Sequence, residues 1–301
     1  MKHFENTERF HIQRVLGEGA HGVVYAALDM ETRLSVALKT LRTISPETLF
    51  EFKKEFRSIQ GLSHPNLVEL FDFGSAHGTW FFTMQLVDGV GFLEYVRPNG
   101  ERLSPAQTTE RLPQVQNLSA PGQLDDVPTR TINGTLDLSR LRSGLLQVTQ
   151  GLTALHASGR VHRDLKPNNM LVTASGRLVI LDFGLAAEIQ EGRPSQQAQR
   201  SGTVAYMSPE QVASRPIGAA SDWYSLGVVL FEAMTGQLPF FGPAMTVLFD
   251  KQSRPAPDAR TIDPELPTDL CELARALLEI DPAARPEGDE LLRRLQAPSA
   301  G

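Results

Sequence analysis

The sequence predicts an α+β fold in which a small, sheet-rich half with one main helix is followed by a larger helical half. In residues 10–39, apolar and polar side chains alternate in short β-branched runs around a glycine-rich turn, which is the pattern of antiparallel strands. From about Leu138 the apolar residues recur at helical spacing instead. The segment from Asp222 to Gly236 is apolar nearly all round, which is typical of a helix buried on every side.

The main helix of the first half is predicted from its start. Ser45 supplies a hydroxyl cap, Pro46 suits the first helical position, and Glu47 places an acid in the first turn. A turn ends the helix, and two further strands are expected at 67–74 and 80–87. The helix is expected to carry one apolar stripe, formed by Leu49, Phe52, Phe56, Ile59 and Leu62.

The whole chain, 1–301, is predicted to form a single domain with two lobes. Residues 10–87 make up the first lobe and residues 88–295 the second, and the length and the 41% hydrophobic content suffice for a core of that size. Gly236 is placed to cap the end of the buried helix. Two amphipathic helices are expected after it, near the end of the chain.

Residues 97–137 differ in composition from the rest of the chain. They are rich in Pro, Gln, Ser, Thr, Asn and Gly, and they contain no Phe, Trp or Tyr. Such a segment buries too little apolar area to offset its ordering entropy, so it is predicted to be a flexible surface insertion. Both a tolerated loop and a docking or regulatory role are open. Residues 296–301 resemble a linker, so a further regulatory domain in a longer parent chain is possible.

Composition argues against several classes of protein. The net charge of -6 and the absence of a Lys/Arg run argue against a nucleic-acid partner. No run of about eighteen apolar residues predicts a membrane span, and the N-terminus lacks the apolar core of a signal peptide. The one cysteine, Cys271, rules out an intrachain disulfide and favours a cytoplasmic location. Its helical, apolar surroundings indicate a packing residue, not a nucleophile.

The glycine-rich turn has the pattern GxGxxGxV, with glycines at Gly17, Gly19 and Gly22. By itself the pattern fits either a dinucleotide-binding turn or a simple hairpin. The dinucleotide motif requires a helix after the turn. Here the β-branched run from Val23 onwards favours a strand. The turn is therefore predicted to join two strands, as a flap whose backbone amides cover phosphates.

Lys39 ends a strand on which Ala37 occupies the same face, because side chains alternate along a strand. A lone strand lysine is usually solvated. Glu55, however, lies at the edge of the apolar stripe of the main helix and can face the sheet. A pair between Lys39 and Glu55 would hold the ammonium group in position for phosphates.

The strongest signal is the run from residue 162 to residue 169, which reads HRDLKPNN. Asp164 can accept the proton of an attacking hydroxyl, and Lys166 can neutralise a transferring phosphoryl group. Asn169 offers an amide oxygen to a hard cation. Asp182, in a DFG tripeptide directly after an apolar strand, is a second candidate ligand, here for Mg²⁺.

These motifs, in this order, resemble the eukaryotic-type serine/threonine protein kinase catalytic domain, and most closely those of bacteria. The resemblance runs from Phe10 to about Leu295, apart from the insertion. It implies a bilobal fold with a small antiparallel-sheet lobe and a larger helical lobe. It also implies an activity in signalling: transfer of the γ-phosphoryl group of ATP, with Mg²⁺, to serine or threonine hydroxyls of proteins, with autophosphorylation.

The resemblance also implies roles for single residues. Met84 is similar to the gatekeeper, and Gln85, Leu86 and Val87 to the hinge that binds adenine. Leu16, Gly17, Gly19, Gly22, Val24, Ala37, Lys39 and Leu171 complete the implied ATP site. The implied catalytic residues are Asp164, Lys166, Lys39, Glu55 and Thr203, and the implied metal ligands are Asn169 and Asp182.

Other implied roles concern the substrate and the large lobe. Lys166 after Leu165 is the serine/threonine form of the catalytic run. Asp222 resembles the anchor of the catalytic loop. Glu210 and Arg285 resemble a buried ion pair that ties down the end of the activation segment.

Some features depart from the family pattern or stay open. His21 replaces an aromatic residue at the tip of the glycine loop, and Ser208 replaces an alanine. Ser195 and Ser201 are the hydroxyls in the activation segment that could be autophosphorylated. Besides an active enzyme, two readings remain: a pseudokinase that serves as a scaffold, and a kinase of small molecules. Retention of Lys39 argues against the first, and the peptide-docking segment that starts at Thr203 argues against the second.

Overall fold

The computed structural model describes residues 4–19, 22–41, 45–101, 126–129, 131–182 and 203–296. The chain folds into a five-stranded sheet with one long helix, and then into a mostly helical half that contains a small three-stranded sheet. The strands are β1 Phe10–Gly19, β2 Gly22–Asp29, β3 Ser35–Thr40, β4 Leu70–Ala76, β5 Thr79–Gln85, β6 Gly89–Gly91, β7 Met170–Thr173 and β8 Leu178–Ile180. The helices are α1 Pro46–Ile59, α2 Phe92–Val96, α3 Leu138–Ala157, α4 Pro209–Val212, α5 Ala219–Thr235, α6 Ala244–Ser253, α7 Thr268–Leu277 and α8 Gly288–Gln296.

The first sheet is antiparallel, in the order β1-β2-β3-β5-β4, which confirms the predicted small lobe. The helix α1 begins as predicted: the Ser45 hydroxyl accepts a hydrogen bond from the amide of Thr48, and proline occupies the first turn. The Phe52 ring of α1 lies 5.3 Å from Phe73 and 5.9 Å from Phe82 on the sheet. The apolar stripe therefore attaches the helix to the sheet.

The helical half is built around α5. Every residue from Ser221 to Thr235 is buried, as the all-round apolar pattern predicted. The helix ends at Gly236, whose φ of 69° is the left-handed conformation that glycine adopts most easily. The predicted cap is confirmed, and α5 provides a fixed frame for the loops that surround it.

The small sheet of β6, β7 and β8 connects the two halves. Asn66, which follows α1 along the chain, accepts a backbone hydrogen bond from the amide of Ile180 at 2.9 Å. Its side-chain amide donates to the carbonyl of Leu178 at 2.8 Å. The last strand, β8, leads directly to Asp182. These bonds fix the end of β8 with respect to the first sheet.

The flanks of the segment 97–137 differ from the expected loose insertion. The Arg97 side chain is buried and donates to the carbonyls of Ala233, at 2.8 Å, and of Met234. These carbonyls belong to the last turn of α5, where the helix has no donors of its own to offer. Val127 forms a β-bridge with Gly242. The two ends are thus packed on the large lobe, and residues 102–125 and 130 lie outside the described part of the chain.

The fold bears on the expectations about a membrane span, Cys271 and the C-terminal tail. No helix in the described residues is long and apolar enough to cross a membrane. Cys271 is buried in α7, and burial raises the pKa of its thiol, so the predicted packing role is confirmed. The predicted tail begins one residue too early, because Gln296 still belongs to α8.

Candidate active site

The glycine-rich turn joins β1 directly to β2, which rules out the strand–turn–helix of a dinucleotide site. Gly19 and Gly22 are partners across the hairpin. Gly22 has a φ of 143°, and a side chain there would meet the carbonyl oxygen of Thr40 at 1.8 Å. Glycine is therefore required at this position by the close approach of β3. His21, at the tip, lies outside the described residues.

The residues implied to hold ATP lie on neighbouring strands. Ala37 on β3 and Met84 on β5 are direct partners, and both are buried. Val24 on β2 pairs with Lys39, so the flap and the lysine are adjacent. Leu171 lies on β7 in the other sheet. Of the remaining residues, Leu16 and Gly17 are on β1, Gln85 ends β5, and Leu86 and Val87 follow it.

The catalytic run folds around Asp164. The ammonium of Lys166 donates to both of its carboxylate oxygens, at 2.8 and 3.1 Å. The side-chain nitrogen of Asn169 donates to the Asp164 carbonyl at 2.7 Å. The three residues whose spacing carried the prediction are therefore within hydrogen-bond distance of one another. Since the side-chain nitrogen of Asn169 donates this hydrogen bond, its side-chain oxygen remains as the atom that could bind a hard cation.

Asp222, in the first turn of α5, anchors this loop. Its buried carboxylate accepts from the amides of His162, at 2.7 Å, and Arg163, at 2.8 Å. A ring nitrogen of His156 lies 2.8 Å from the same carboxylate. Arg163 has a φ of 68°, an uncommon value for a residue with a side chain. Asp222 thus fixes a strained turn immediately before Asp164, as the resemblance implied.

Asp182 lies beside Lys39. The two side chains form an ion pair of 2.6 Å, and Asp182 has a φ of 54°. Burial by itself would raise the pKa of Asp182. The charge and hydrogen bond of Lys39, together with the charges of His162 and Lys166, outweigh it and hold the pKa below its usual range. The carboxylate is therefore ionised at neutral pH. Phe183 lies outside the described residues.

The pair of Lys39 with Glu55 is not among the ion pairs that the described residues form. Among the described residues, the ion pair of Lys39 is with Asp182, and that of Glu55 is with Arg160, at 3.3 Å. Arg160 also donates to the hydroxyl of Ser58, one turn further along α1. Glu55 is nevertheless buried on the side of α1 that faces the site. Glu55 lies on the main helix as predicted, but its Oε1 accepts a hydrogen bond from Arg160 of the large lobe.

This competition gives a testable expectation. Replacing Arg160 by isoleucine removes the cation that contacts Glu55 Oε1, so we expect Lys39 to compete better for Glu55 and phosphoryl transfer to become faster. A partly exposed pair contributes about 0.2–1 kcal/mol, which corresponds to at most a roughly fivefold gain. Initial rates at saturating ATP test it, with Arg57→Ile, at an exposed arginine of α1, as the control. A slower Arg160→Ile enzyme would show that the Arg160 contact supports the active arrangement instead.

The segment from Thr203 to Glu210 follows the residues that the structure does not describe. Thr203 begins a short 3-10 helix, but its side chain lies outside the described part. Glu210 and Arg285 form a bidentate ion pair at 2.7 and 2.9 Å, both side chains almost fully buried, which confirms that prediction. The side-chain amide of Gln211 donates to the carbonyl of Arg163 at 2.7 Å. This bond ties the segment to the catalytic loop.

Three residues that contact the candidate site or its neighbouring segment were not predicted from the sequence. Arg160 and Gln211 gave no signal, because nothing in their local pattern indicates a distant partner. The position of Lys251 gave a weak signal of burial, since it lies four residues after Val247 and so shares the buried face of α6. The structure places its ammonium next to the segment that begins at Thr203.

The geometry fits a divalent cation shared with a phosphate ligand. The second carboxylate oxygen of Asp182 is buried and has no hydrogen-bond partner among the described residues. Asn169 supplies the other candidate oxygen. The described residues contain no group of three or more His, Cys, Asp or Glu arranged around a metal. Such a sparse donor set suits Mg²⁺, which is usually held by one or two carboxylates together with phosphate oxygens and water.

Comparison with known proteins agrees with this site. Residues 10–295 match the protein kinase domain family. The serine/threonine-protein kinase PknA of Mycobacterium tuberculosis is 32% identical over 286 residues, which are 92% of this chain and 58% of PknA. PrkC of Bacillus subtilis is 29% identical over 94% of this chain and 39% of its own. The DNA damage-responsive kinase RqkA of Deinococcus radiodurans is 32% identical over 96% and 39%, respectively. The chain thus spans between about two fifths and three fifths of these relatives.

A solved structure shows the same fold. The crystal structure of the Mycobacterium tuberculosis PknI kinase domain matches with a TM-score of 0.67 at 22% identity, over 97% of this chain and 96% of that one. At 22% identity this similarity shows the fold alone. The family match over residues 10–295 shows the family. The chain belongs to the protein kinase domain family.

Proposed function

We propose that the chain is an active serine/threonine protein kinase domain that uses ATP and Mg²⁺. The single observation that carries the proposal is that four charged groups of the transfer chemistry are present and lie in two contacting pairs. Lys39 contacts Asp182, and Asp164 contacts Lys166 and Asn169. Phosphoryl transfer depends mainly on positioning and electrostatic stabilisation, so this arrangement is what the reaction needs.

Each side chain has a defined task in this proposal. ATP supplies the phosphoryl group, and Mg²⁺, when bound, supplies positive charge at its oxygens. Asp182 and Asn169 would hold the metal, and Lys39, which favours the ionised form of Asp182, would bind phosphate oxygens. Asp164 orients the substrate hydroxyl and accepts its proton. Lys166, hydrogen-bonded to Asp164, neutralises charge on the group in transfer.

Serine and threonine are proposed as the acceptors on two grounds. Lys166 follows Leu165 in the manner of serine/threonine kinases. The bacterial relatives PknA, PrkC and RqkA carry serine/threonine kinase in their names. The other two readings are disfavoured. A pseudokinase has no need of all the charged groups, and a small-molecule kinase has no need of the segment from Thr203 to Glu210.

The wider setting is also a proposal. We expect residues 1–301 to form one catalytic domain that works in the cytoplasm, and a longer parent chain would fit the length of the relatives. Protein substrates are expected, and no nucleic acid. The part of 97–137 outside the described residues keeps both proposed roles, as tolerated loop or as docking segment.

A labelling experiment tests the proposed activity. Purified protein is incubated with Mg²⁺ and γ-labelled ATP, alone and with a generic basic protein, beside Asp164→Ala. We expect label on serine or threonine that is lost in the variant, because the variant lacks the base. Mass spectrometry then shows whether Ser195 or Ser201 is modified, although both lie outside the described residues.

The alternative outcome is equally informative. If the folded wild type binds ATP in a thermal-shift assay but transfers no label to either protein, the active-kinase proposal is wrong and a pseudokinase role takes its place. Label on tyrosine would refute the assigned hydroxyl specificity alone.

A further inference from the structure

Lys251 is the most deeply buried cation in the described large lobe outside the pairs already discussed. It lies on α6 and is 0% exposed. It forms no ion pair with any described residue. A buried lysine costs stability unless its donors are satisfied, so its contacts matter.

Its contacts are backbone carbonyls of the segment after Thr203. The Lys251 ammonium donates to the carbonyl of Ala205 at 2.6 Å and to that of Met207 at 2.8 Å. The carbonyl between them, of Tyr206, accepts from the hydroxyl of Ser225 at 2.9 Å. Three successive carbonyls are therefore held by side chains from α5 and α6.

These hydrogen bonds determine the path of the backbone after Thr203. After the short 3-10 helix that ends at Ala205, the backbone has no repeating hydrogen bonds until Pro209, so side-chain donors decide its path there. The same segment is tied at its far end by Gln211 to the carbonyl of Arg163. Its conformation is thus set relative to the catalytic loop, and Lys251 provides two of the bonds that set it.

The surroundings suit an ammonium group. The Lys251 nitrogen lies 5.3 Å from the centre of the Tyr224 ring, and the Arg285 guanidinium lies 4.9 Å from the same ring. The ring face and the two carbonyls present negative partial charge to the cation. Burial nevertheless lowers the pKa of Lys251 to about 7. Methionine, of similar shape, could fill the space but could donate to neither carbonyl.

We propose that Lys251 is a positioning residue for the protein substrate: it holds the backbone of Ala205–Met207 in the shape that receives the chain around the target hydroxyl. This inference rests on the proposed function, in which that segment docks the substrate. Lys251 touches neither ATP nor the reacting atoms in this assignment. Its removal should therefore affect protein substrate more than ATP.

Steady-state kinetics with a generic basic protein test the proposal. For Lys251→Met we expect the KM for protein to rise about tenfold, the scale of losing hydrogen bonds from a charged donor, while the KM for ATP stays within about twofold. Lys251→Arg, which keeps both charge and donors, should recover most of the loss. Gln252→Met, at the exposed neighbour on the same helix, is the matched control and should behave as wild type.

A second measurement separates this inference from the activity itself. Hydrogen exchange of the amides of residues 204–208 needs no turnover, so it is informative even if the wild type transfers no phosphate. Faster exchange there in Lys251→Met, reversed in Lys251→Arg, supports the positioning role. If Lys251→Met does not fold, Lys251→Gln takes its place, with an intermediate KM expected. Unchanged exchange and unchanged protein KM in a folded variant, or equal increases in both KM values, overturn the proposal.

Discussion

Lys39→Met is expected to lower the rate of phosphoryl transfer by about a thousandfold or more while the protein remains folded. Lys39 is the cation that contacts Asp182, at 2.6 Å. Without it, phosphate oxygens lose an electrostatic partner, and the partly buried Asp182 carboxylate loses the main charge that lowers its pKa. Methionine is likewise unbranched and only one heavy atom shorter, so the loss should fall on the rate of transfer and not on folding. Initial rates and thermal unfolding of the same preparation measure the two effects.

Lys53→Met is the control for this substitution. Lys53 lies on α1 in the same lobe, and its ammonium is 4.3 Å from the centre of the Trp80 ring. It should retain wild-type rates within about twofold. Near-normal turnover of a folded Lys39→Met protein would remove Lys39 from its assigned role and leave the 2.6 Å contact with Asp182 as a purely structural pair.

Glu210→Gln is expected to have the largest effect on stability, about 3 to 5 kcal/mol in the free energy of unfolding. Arg285 would be left as a buried charge without its carboxylate. The loss corresponds to a fall of roughly 10 °C in the unfolding midpoint for a domain of this size. Activity at low temperature should persist, because neither Glu210 nor Arg285 belongs to the groups proposed to take part in phosphoryl transfer. Chemical denaturation and thermal unfolding check the prediction.

Glu290→Gln supplies the matched control, since Glu290 forms an exposed pair with Arg294 along α8. Exposed helix pairs contribute about 0.3–0.5 kcal/mol, so this change should be almost silent. The variant Glu210→Gln combined with Arg285→Met should lose less than the sum of the single changes, because neither charge is left alone. Additive losses would mean that the pair is not energetically coupled.

The pair also predicts acid sensitivity. Burial tends to raise the pKa of Glu210, but hydrogen bonds from Arg285 and Ser221 outweigh it and lower the pKa. A carboxyl whose folded pKa lies below its unfolded value binds fewer protons in the folded state. Its stabilisation is complete above the unfolded pKa and is lost as the pH falls through the folded value. The stability difference between wild type and Glu210→Gln should therefore shrink in acid.

Local features of the fold were predictable because they depend on neighbours in the chain. The Ser45–Pro46 start of α1, the all-round burial of α5 and the Gly236 cap all follow from residues within a turn or two. The strand–turn–strand at the glycine loop followed from the β-branched run after it. Each prediction used a short-range rule, and each was confirmed.

The flanks of 97–137 show where composition misleads. Their lack of aromatic residues indicated a segment with too little apolar area to pack. In the structure, a single Arg97 compensates by donating to carbonyls at the end of α5, and Ile132 is fully buried. One long polar side chain can thus order a backbone segment when it donates to unpaired carbonyls at a helix end, even where the average composition predicts flexibility.

The sequence by itself determined which chemistry the chain can perform: the catalytic run, Asp182, Lys39 and the glycine loop identify it through residue types at fixed spacings. The tertiary structure alone decided three of the charge contacts. Lys39 pairs with Asp182, Glu55 with Arg160, and Lys251 with carbonyls 44 and 46 residues away. Spacing along the chain fixes what a local segment can do, whereas the distance between two charges far apart in sequence is set only when the lobes and α6 pack.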